Sequence, residues 1–148
     1  MSLRLVPPIH RATHRIGLCL AELRDERLSQ GEAHILALLA TAAPATIAEL
    51  HRGLAHKRST LTSILDRLAE RGLVTRDVGA EDRRTFVITP TAKGQQIARR
   101  VHRHLIALED AVARRVTADE IKAFLKVVTT MEDEAHRRTT TRRSRGDR

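Results

Sequence analysis

One stretch of the chain constrains the fold more than any other: a helical segment over residues 57–71 that is followed by two short strands. Four apolar side chains recur in this segment at helical spacing and form one face: Leu61, Ile64, Leu65 and Leu68. Gly72 is a helix C-cap, and the alternation over residues 73–78 is typical of a strand. Residues 79–84 form a turn, and residues 85–89 return as a second strand. The stretch therefore predicts a helix that leads into a β-hairpin.

A short helix is predicted immediately before this segment. Thr46 to Glu49 is a capping-box pattern that opens a helix through Leu54, and Ala55-His56 forms the turn. Two short helices joined by a tight turn and followed by a hairpin predict a winged helix-turn-helix, which is a DNA-reading unit. Side chains away from the apolar face can donate to phosphates and base edges. The candidate contacts from the second helix are Lys57, Arg58, Ser59, Thr60, Thr62, Ser63 and Arg67.

The tip of the hairpin adds Asp82, Arg83 and Arg84 to the candidate DNA contacts. Arg84 is expected to enter the minor groove, where A·T-rich sequence narrows the groove and deepens its negative potential. Asp82 is expected to orient Arg84 or its neighbour through a charge-assisted hydrogen bond.

Helices are predicted on both sides of this unit, so the fold class is mainly α. Residues 9–27 carry an apolar stripe of Ile9, Ala12, Ile16, Cys19 and Leu23, and the capping box of Ser29 and Glu32 opens the next helix. After the hairpin, Thr89-Pro90 is expected to start a long helix to about Arg115. A third capping box, Thr117 to Glu120, opens the last helix. The terminal stripes predict helices that pack on a second copy of the chain.

The amino-acid composition limits the classes of partner that the chain is expected to bind. Lys and Arg outnumber Asp and Glu by 27 to 18, a formal charge of +9 over 148 residues, which favours a polyanion such as nucleic acid. The chain has no Trp or Tyr and two Phe, so the stacking platforms of single-strand binders are missing. One cysteine excludes an intramolecular disulfide framework. No apolar stretch is long enough to cross a membrane and no signal-peptide core is present, so we expect a cytoplasmic protein without a membrane partner.

The pattern resembles the MarR family of transcriptional regulators. The matching segments are LSQGEAHILALLA, TIAELHRGL, RSTLTSILDRLAERGLVTR and EDRRTFVITPTAKG, in which Asp82-Arg83-Arg84 matches the D-x-R signature of the family's wing. The resemblance implies a homodimer that binds a pseudo-palindromic double-stranded DNA operator, commonly as a repressor released by a small molecule or an oxidant. It implies one winged-helix domain over residues 1–148, with the helix-turn-helix and wing at 46–89 and dimerisation helices at 9–27 and 117–137. The basic residues 138–148 lack apolar side chains, and disorder is expected there.

Several residues are candidates for sensing a signal. By the family resemblance, His10, His14, Arg15 and His51 are candidates for an effector pocket, and such a lining favours an anionic or aromatic ligand. Alternatively, His10 and His14 could bind a metal, since they share a helix face. Cys19 could sense oxidants if His14 or Arg15 lowered its pKa, but its place on the apolar stripe favours a buried hydrophobic role. Cysteine and acidic residues do not cluster near the histidines in the sequence, so no metal or other cofactor is expected.

The sequence disfavours two other classes of protein. The sequence has no nucleophile–base pattern, glycine-rich phosphate loop or metal-hydrolase spacing, so an enzyme is not expected. A winged helix can also serve as a protein–protein interaction module. Such a module would expose apolar side chains on its second helix, whereas this segment is basic and rich in hydroxyls.

Overall fold

The computed structural model describes residues 2–23, 27–54, 58–79 and 85–145. The side chains of residue 58 and of residues 140–145 are outside this description. The chain forms two compact units, residues 1–106 and 107–148. The boundary lies inside one continuous helix, and the expectation of a single domain stays a prediction.

The first unit contains four helices before its hairpin. They are α1 (Val6–Ala21), α2 (Gln30–Ala42), α3 (Ile47–Leu54) and α4 (Arg58–Glu70). The capping box of α2 is present, because Ser29 Oγ accepts from the Glu32 backbone N–H and the Glu32 carboxylate accepts from the Ser29 N–H. The capping box of α3 is also present, between Thr46 and Glu49. Both helices therefore begin where the sequence places their caps.

The first helix differs from its prediction at both ends. It begins at Val6 rather than Ile9, because Pro7 and Pro8 occupy its first turn, where a missing N–H costs no hydrogen bond. It ends at Ala21 rather than Arg27, and Arg27 has a φ of 45°, which a right-handed helix does not allow. Its one buried residue is Leu20, which the predicted stripe does not include.

The hairpin belongs to a three-stranded antiparallel sheet. Strands β2 (Val74–Val78) and β3 (Phe86–Pro90) form the hairpin, and a two-residue strand β1 (Ala45–Thr46) pairs with the other edge of β3. The predicted hairpin is confirmed, whereas β1 was not predicted. Two residues are too few to show a strand pattern, and β1 exists only because β3 offers it a partner.

Pro90 ends β3 and does not open the next helix, so the predicted Thr89-Pro90 start is wrong. Helix α5 (Ala92–Ala113) is capped instead by Thr91, whose Oγ accepts from the Gly94 N–H at 3.0 Å and donates to the Gly72 carbonyl at 2.7 Å. Gly94 lies against the Leu73 carbonyl, and a Cβ at this position would overlap that oxygen. Gly72 has a φ of 67°, as its predicted C-cap role requires. These contacts fix the start of α5 against the end of α4.

Among the described residues, the buried apolar side chains form one hydrophobic core between α2, α4 and the sheet. All four predicted apolar residues of α4 are buried in it, at 4% exposure or less. They pack with side chains of α2, α5 and the strands, the largest of which are Ile35, Leu36, Leu39, Leu73, Ile88 and Val101. The core therefore holds α4 by one face and leaves its opposite face to solvent.

The second unit contains the end of α5 and helix α6 (Ala118–Arg145). The Thr117–Glu120 capping box opens α6, as predicted. The helix continues beyond residue 137, so the backbone of residues 138–145 is helical where disorder was expected. Neither Gly nor Pro interrupts the helix before Gly146, and Glu134 forms ion pairs with Arg137 and Arg138 one turn on. None of the helices in the described ranges is long and apolar enough to cross a membrane.

Candidate nucleic-acid interface

Helix α4 presents a continuous polar surface opposite its buried side. Ser59, Thr60, Ser63 and Arg67 are all exposed there. Ser59, Ser63 and Arg67 follow one another at intervals of four residues, so they share a face, and Arg67 Nη1 donates to Ser63 Oγ at 3.2 Å. We call these four residues the polar face of α4.

A shallow groove of about 470 Å³ brings the polar face together with the start of α2. Ser29 and Gly31 line its other side, and Ile64 closes its floor. Hydroxyls and a guanidinium are the donors that phosphate oxygens and base edges accept from. Hence four of the candidate DNA contacts form one surface.

The remaining candidates are placed only in part. Thr62 is half-buried on α4, so it stands apart from the polar face. Arg58 begins α4, but its side chain is outside the described atoms. The predictions for Lys57, Asp82, Arg83 and Arg84 lie outside the described residues.

The root of the hairpin is attached to α4 by contacts that the sequence did not predict. Arg76 of β2 forms an ion pair with Asp66 of α4, with 3.7 Å between Nη1 and Oδ1. The same guanidinium lies 4.6 Å from the centre of the Phe86 ring on β3, a cation–π contact. Such a contact joins residues that are distant in sequence and has no local pattern. In β2 only Val74 is buried and the other four residues are exposed, so no alternation along the strand singles out Arg76.

Glu32 connects α4 to α2 through a buried charge. It is 4% exposed and is the one buried charged residue among those described. Its carboxylate lies 3.5 Å from Arg67 Nε and 3.6 Å from Arg71 Nη1. Burial acts to raise the pKa of this carboxyl, but the Ser29 hydrogen bonds and the charges of Arg71 and Arg67 outweigh burial. The pKa of Glu32 therefore lies below its ordinary value of 4.5.

Three of the four effector candidates line one surface depression. His10, His14 and Arg15 share it with Arg11 and Leu18, and its volume is about 430 Å³. All five residues are on α1. His51 is on α3 and does not line this depression. The structure thus brings together the α1 candidates and separates His51 from them.

Cys19 has a partner other than the two that the sequence suggested. Its sulfur lies 3.2 Å from His104 Nε2 of α5, and the same nitrogen lies 3.2 Å from the Cys19 carbonyl oxygen. Cys19 is half-buried on the side of α1 that faces α5. The described contacts of the Cys19 sulfur thus include His104 rather than His14 or Arg15, the two residues considered from the sequence. Within the described ranges, no three metal-ligating side chains come together.

A comparison with protein-family models finds a match to part of the chain. The MarR family model matches residues 28–86, which include α2, α3, α4 and β2 and end at Phe86, the first residue of β3. These residues form a MarR-family domain. Outside this family model, no curated protein matches the chain.

Solved structures with the same fold match more of this chain than residues 28–86. MarR from E. coli, in its apo form, is 25% identical with a TM-score of 0.63, and the match covers 88% of this chain and 98% of that one. The S. aureus MepR–DNA complex is 17% identical with a TM-score of 0.75, over 90% and 99%. Bordetella bronchiseptica BpsR, whose DNA binding is regulated by 6-hydroxynicotinic acid, is 18% identical with a TM-score of 0.71, over 90% and 96%. The MarR winged-helix fold therefore accounts for the helices on both sides of the wing.

The lowered pKa of Glu32 makes the stability of the MarR-family domain depend on pH. A carboxyl whose pKa is lower in the folded state stabilises that state above the unfolded pKa, and the stabilisation is lost as pH falls through the folded pKa. We therefore expect the difference in melting temperature between wild type and Glu32→Gln to be constant above about pH 5.5 and to narrow toward pH 3. Thermal unfolding followed by circular dichroism from pH 3 to pH 7 measures it.

Glu70→Gln is the matched control, because Glu70 is an exposed carboxylate at the end of α4. Its difference from wild type should vary less with pH than that of Glu32→Gln. A Glu32→Gln difference that is equally large at pH 3 and pH 7 would contradict the assignment.

Proposed function

We propose that this chain is a MarR-family transcriptional regulator: a sequence-specific repressor that binds a pseudo-palindromic operator as a homodimer and is released by a small anionic effector. The polar face of α4 is the observation that carries the proposal. It is exposed, rich in hydroxyls and positively charged at Arg67, while the opposite face is fixed in the core. A helix held in this way can enter the major groove without rearrangement.

The charge of the chain supports DNA as the partner. A net charge of +9 attracts a polyanion over a range of about 10 Å at 0.1 M salt. The polar face supplies hydrogen-bond donors for base edges, and Lys57, Arg58, Arg83 and Arg84 are proposed to add phosphate and minor-groove contacts. Asp82 is proposed to orient Arg84 or its neighbour. The likeness to MepR, which was solved in complex with DNA, supports the same role. We propose that the protein has no catalytic role and that it acts in the cytoplasm.

Exposed apolar residues support a homodimer. In the second unit, Phe124 and Leu125 of α6 are 58% and 56% exposed, and Ile121 is exposed beside them. Side chains of this size are usually covered when they cluster, so we propose that a second copy covers them. A two-fold dimer would present two copies of α4 to successive major grooves about 34–36 Å apart.

The depression on α1 is the proposed effector site. His10, His14 and Arg15 make it polar and positively charged, which suits a carboxylate. His51 stays a further candidate from the sequence. BpsR responds to 6-hydroxynicotinic acid, and this likeness supports an aromatic acid as the effector class.

DNA binding is tested first. Fluorescence anisotropy should show tight, salt-dependent binding of wild type to the DNA upstream of its own gene and weaker binding to a scrambled duplex. Ser63→Ala should cost about 1–3 kcal/mol on the operator and relax specificity, because a donor to a base edge is lost. Arg84→Ala should weaken binding and reduce the slope of log K against log salt by about one.

Arg103→Ala is the control for the DNA experiment. It removes an exposed arginine from α5, outside the polar face of α4, so it should leave the specificity ratio unchanged. Equal and weak binding of wild type to both duplexes would refute sequence-specific recognition and favour an interaction module.

The homodimer is tested by light scattering coupled to size exclusion. Wild type should elute with the mass of two chains, whereas Phe124→Glu/Leu125→Glu should elute as a monomer, because two buried carboxylates would face an apolar partner surface. Lys122→Glu changes an exposed residue of the same helix and should stay dimeric. A wild-type monomer at micromolar concentration would refute the dimer.

The effector class is tested by thermal unfolding with a panel of aromatic carboxylates. A ligand at one hundred times its Kd stabilises the folded protein by about 2.7 kcal/mol, which is a shift of several degrees in Tm. Arg15→Gln should abolish the shift and Arg99→Gln, on α5, should retain it. If no acid in the panel raises the Tm of wild type, this effector class is wrong.

A further inference from the structure

The chain uses the same capping box at the start of three helices, and one of the three differs in its surroundings. Glu32, Glu49 and Glu120 each accept a hydrogen bond from the backbone N–H of the capping residue three positions earlier. Glu49 and Glu120 are exposed, whereas Glu32 is buried. A capping carboxylate can accept its hydrogen bond while it is exposed to solvent, as Glu49 and Glu120 do. The burial of Glu32 therefore needs a second explanation.

The second explanation is the pair of arginines that α4 directs at Glu32. Arg67 is on α4 and Arg71 directly follows its last residue, four positions on, so both guanidinium groups reach the same carboxylate, at 3.5 and 3.6 Å. Neither Glu49 nor Glu120 has an ion pair of this kind among the described contacts. A buried carboxylate without such partners would strongly favour protonation. The two arginines thus act together with the Ser29 hydrogen bonds to keep Glu32 charged at the interface of α2 and α4.

Arg67 also belongs to the polar face of α4. Its side chain is 49% exposed, and its Nη1 donates to Ser63 Oγ while its Nε faces Glu32. One edge of the guanidinium is therefore directed toward α2, and the other toward the proposed DNA surface. The distances to Glu32 are longer than a close hydrogen bond, so the contact is an ion pair that a phosphate could compete with.

We propose that Glu32 is a positioning residue for DNA recognition: it holds Arg67 beside Ser63 and neutralises that arginine until the correct operator is bound. This inference rests on the proposed DNA-binding function. An arginine without a carboxylate binds any phosphate, which raises affinity for all sequences alike. An arginine held by Glu32 gains less from non-specific phosphate contact, and its bond orients the Ser63 hydroxyl. Glu32 thereby favours selectivity over affinity.

The proposal predicts that Glu32→Gln binds non-specific DNA more tightly than wild type does, whereas loss of folding would weaken binding. Glu32→Gln removes the charge and keeps the size of the side chain, which leaves Arg67 able to contact phosphate. Its affinity for a scrambled duplex at low salt should rise about three- to tenfold, and its salt slope should become more negative by about 0.9, the value for one additional phosphate contact. The ratio of operator to scrambled affinity should fall by a similar factor. A purely structural role would lower affinity for both duplexes.

Three variants separate the possible causes. Glu49→Gln changes an exposed capping glutamate whose charged neighbour is Arg52 of its own helix α3, so it should keep the wild-type selectivity ratio. Ser29→Ala removes the cap of α2 but leaves the ion pairs, so it should lower Tm without raising affinity for the scrambled duplex. Glu32→Gln/Arg67→Gln should return the scrambled affinity to about the wild-type value, because the freed charge is gone.

The experiment is anisotropy of each full-length variant on both duplexes across a salt series, with Tm measured in parallel. An unchanged selectivity ratio in Glu32→Gln, or a gain that persists in the double variant, overturns the proposal while the proposed function stands. If wild type itself fails to discriminate, the proposed function fails and this inference fails with it. If Glu32→Gln is unfolded, Glu32→Asp takes its place: its carboxylate is one methylene further from Arg67, so a smaller shift in the same direction is expected, and no shift overturns the proposal.

Discussion

The apolar contact between α2 and α4 is the constraint on which the other features depend. Leu61, Leu65 and Leu68 are almost fully buried against a core that includes Leu36 and Leu39 of α2. Because an α-helix repeats every 3.6 residues, burial of this stripe determines which residues of α4 face outward. The hydroxyls and the arginine of the polar face are exposed because their neighbours on the helix are committed to the core. A substitution in the core would therefore also rotate or loosen the surface proposed to contact DNA.

The same contact gives Glu32 its surroundings. Its position at the third residue of α2 would normally be at the surface, yet the approach of α4 covers it. The approach is tolerated because the Ser29 hydrogen bonds, Arg67 of α4 and Arg71 just after it together offset the desolvation of the carboxylate. Apolar packing and ion pairing between these two helices thus depend on each other. The hydrogen bonds of Thr91 to Gly72 and Gly94, and the close approach of Gly94 to Leu73, then set the path of the chain from α4 into α5.

Local patterns explain how much of this could be predicted from the sequence. The buried face of α4, the capping boxes and the hairpin follow from residues that are near each other in the chain, and they are confirmed. Strand β1 and the strand position of Pro90 depend on pairing with distant residues, and they were missed or wrong. Leu20 was missed because its burial depends on what α1 packs against. In the candidate site, Ser59, Thr60, Ser63 and Arg67 were named from the sequence, whereas the contacts of Glu32, Asp66 and Arg76 required the tertiary structure.

Arg76 has a consequence for how the domain could associate with DNA. By contacting Asp66 on α4 and Phe86 on β3, it joins the root of the wing to the helix beside it. Ordering a flexible segment costs about 1–2 kcal/mol of conformational entropy per residue. Because the strands and α4 are already held together, this conformational entropy is lost when the chain folds rather than when it binds a partner. The two parts of the domain would then approach a duplex as one preorganised body, and substitutions in them would have non-additive effects on association.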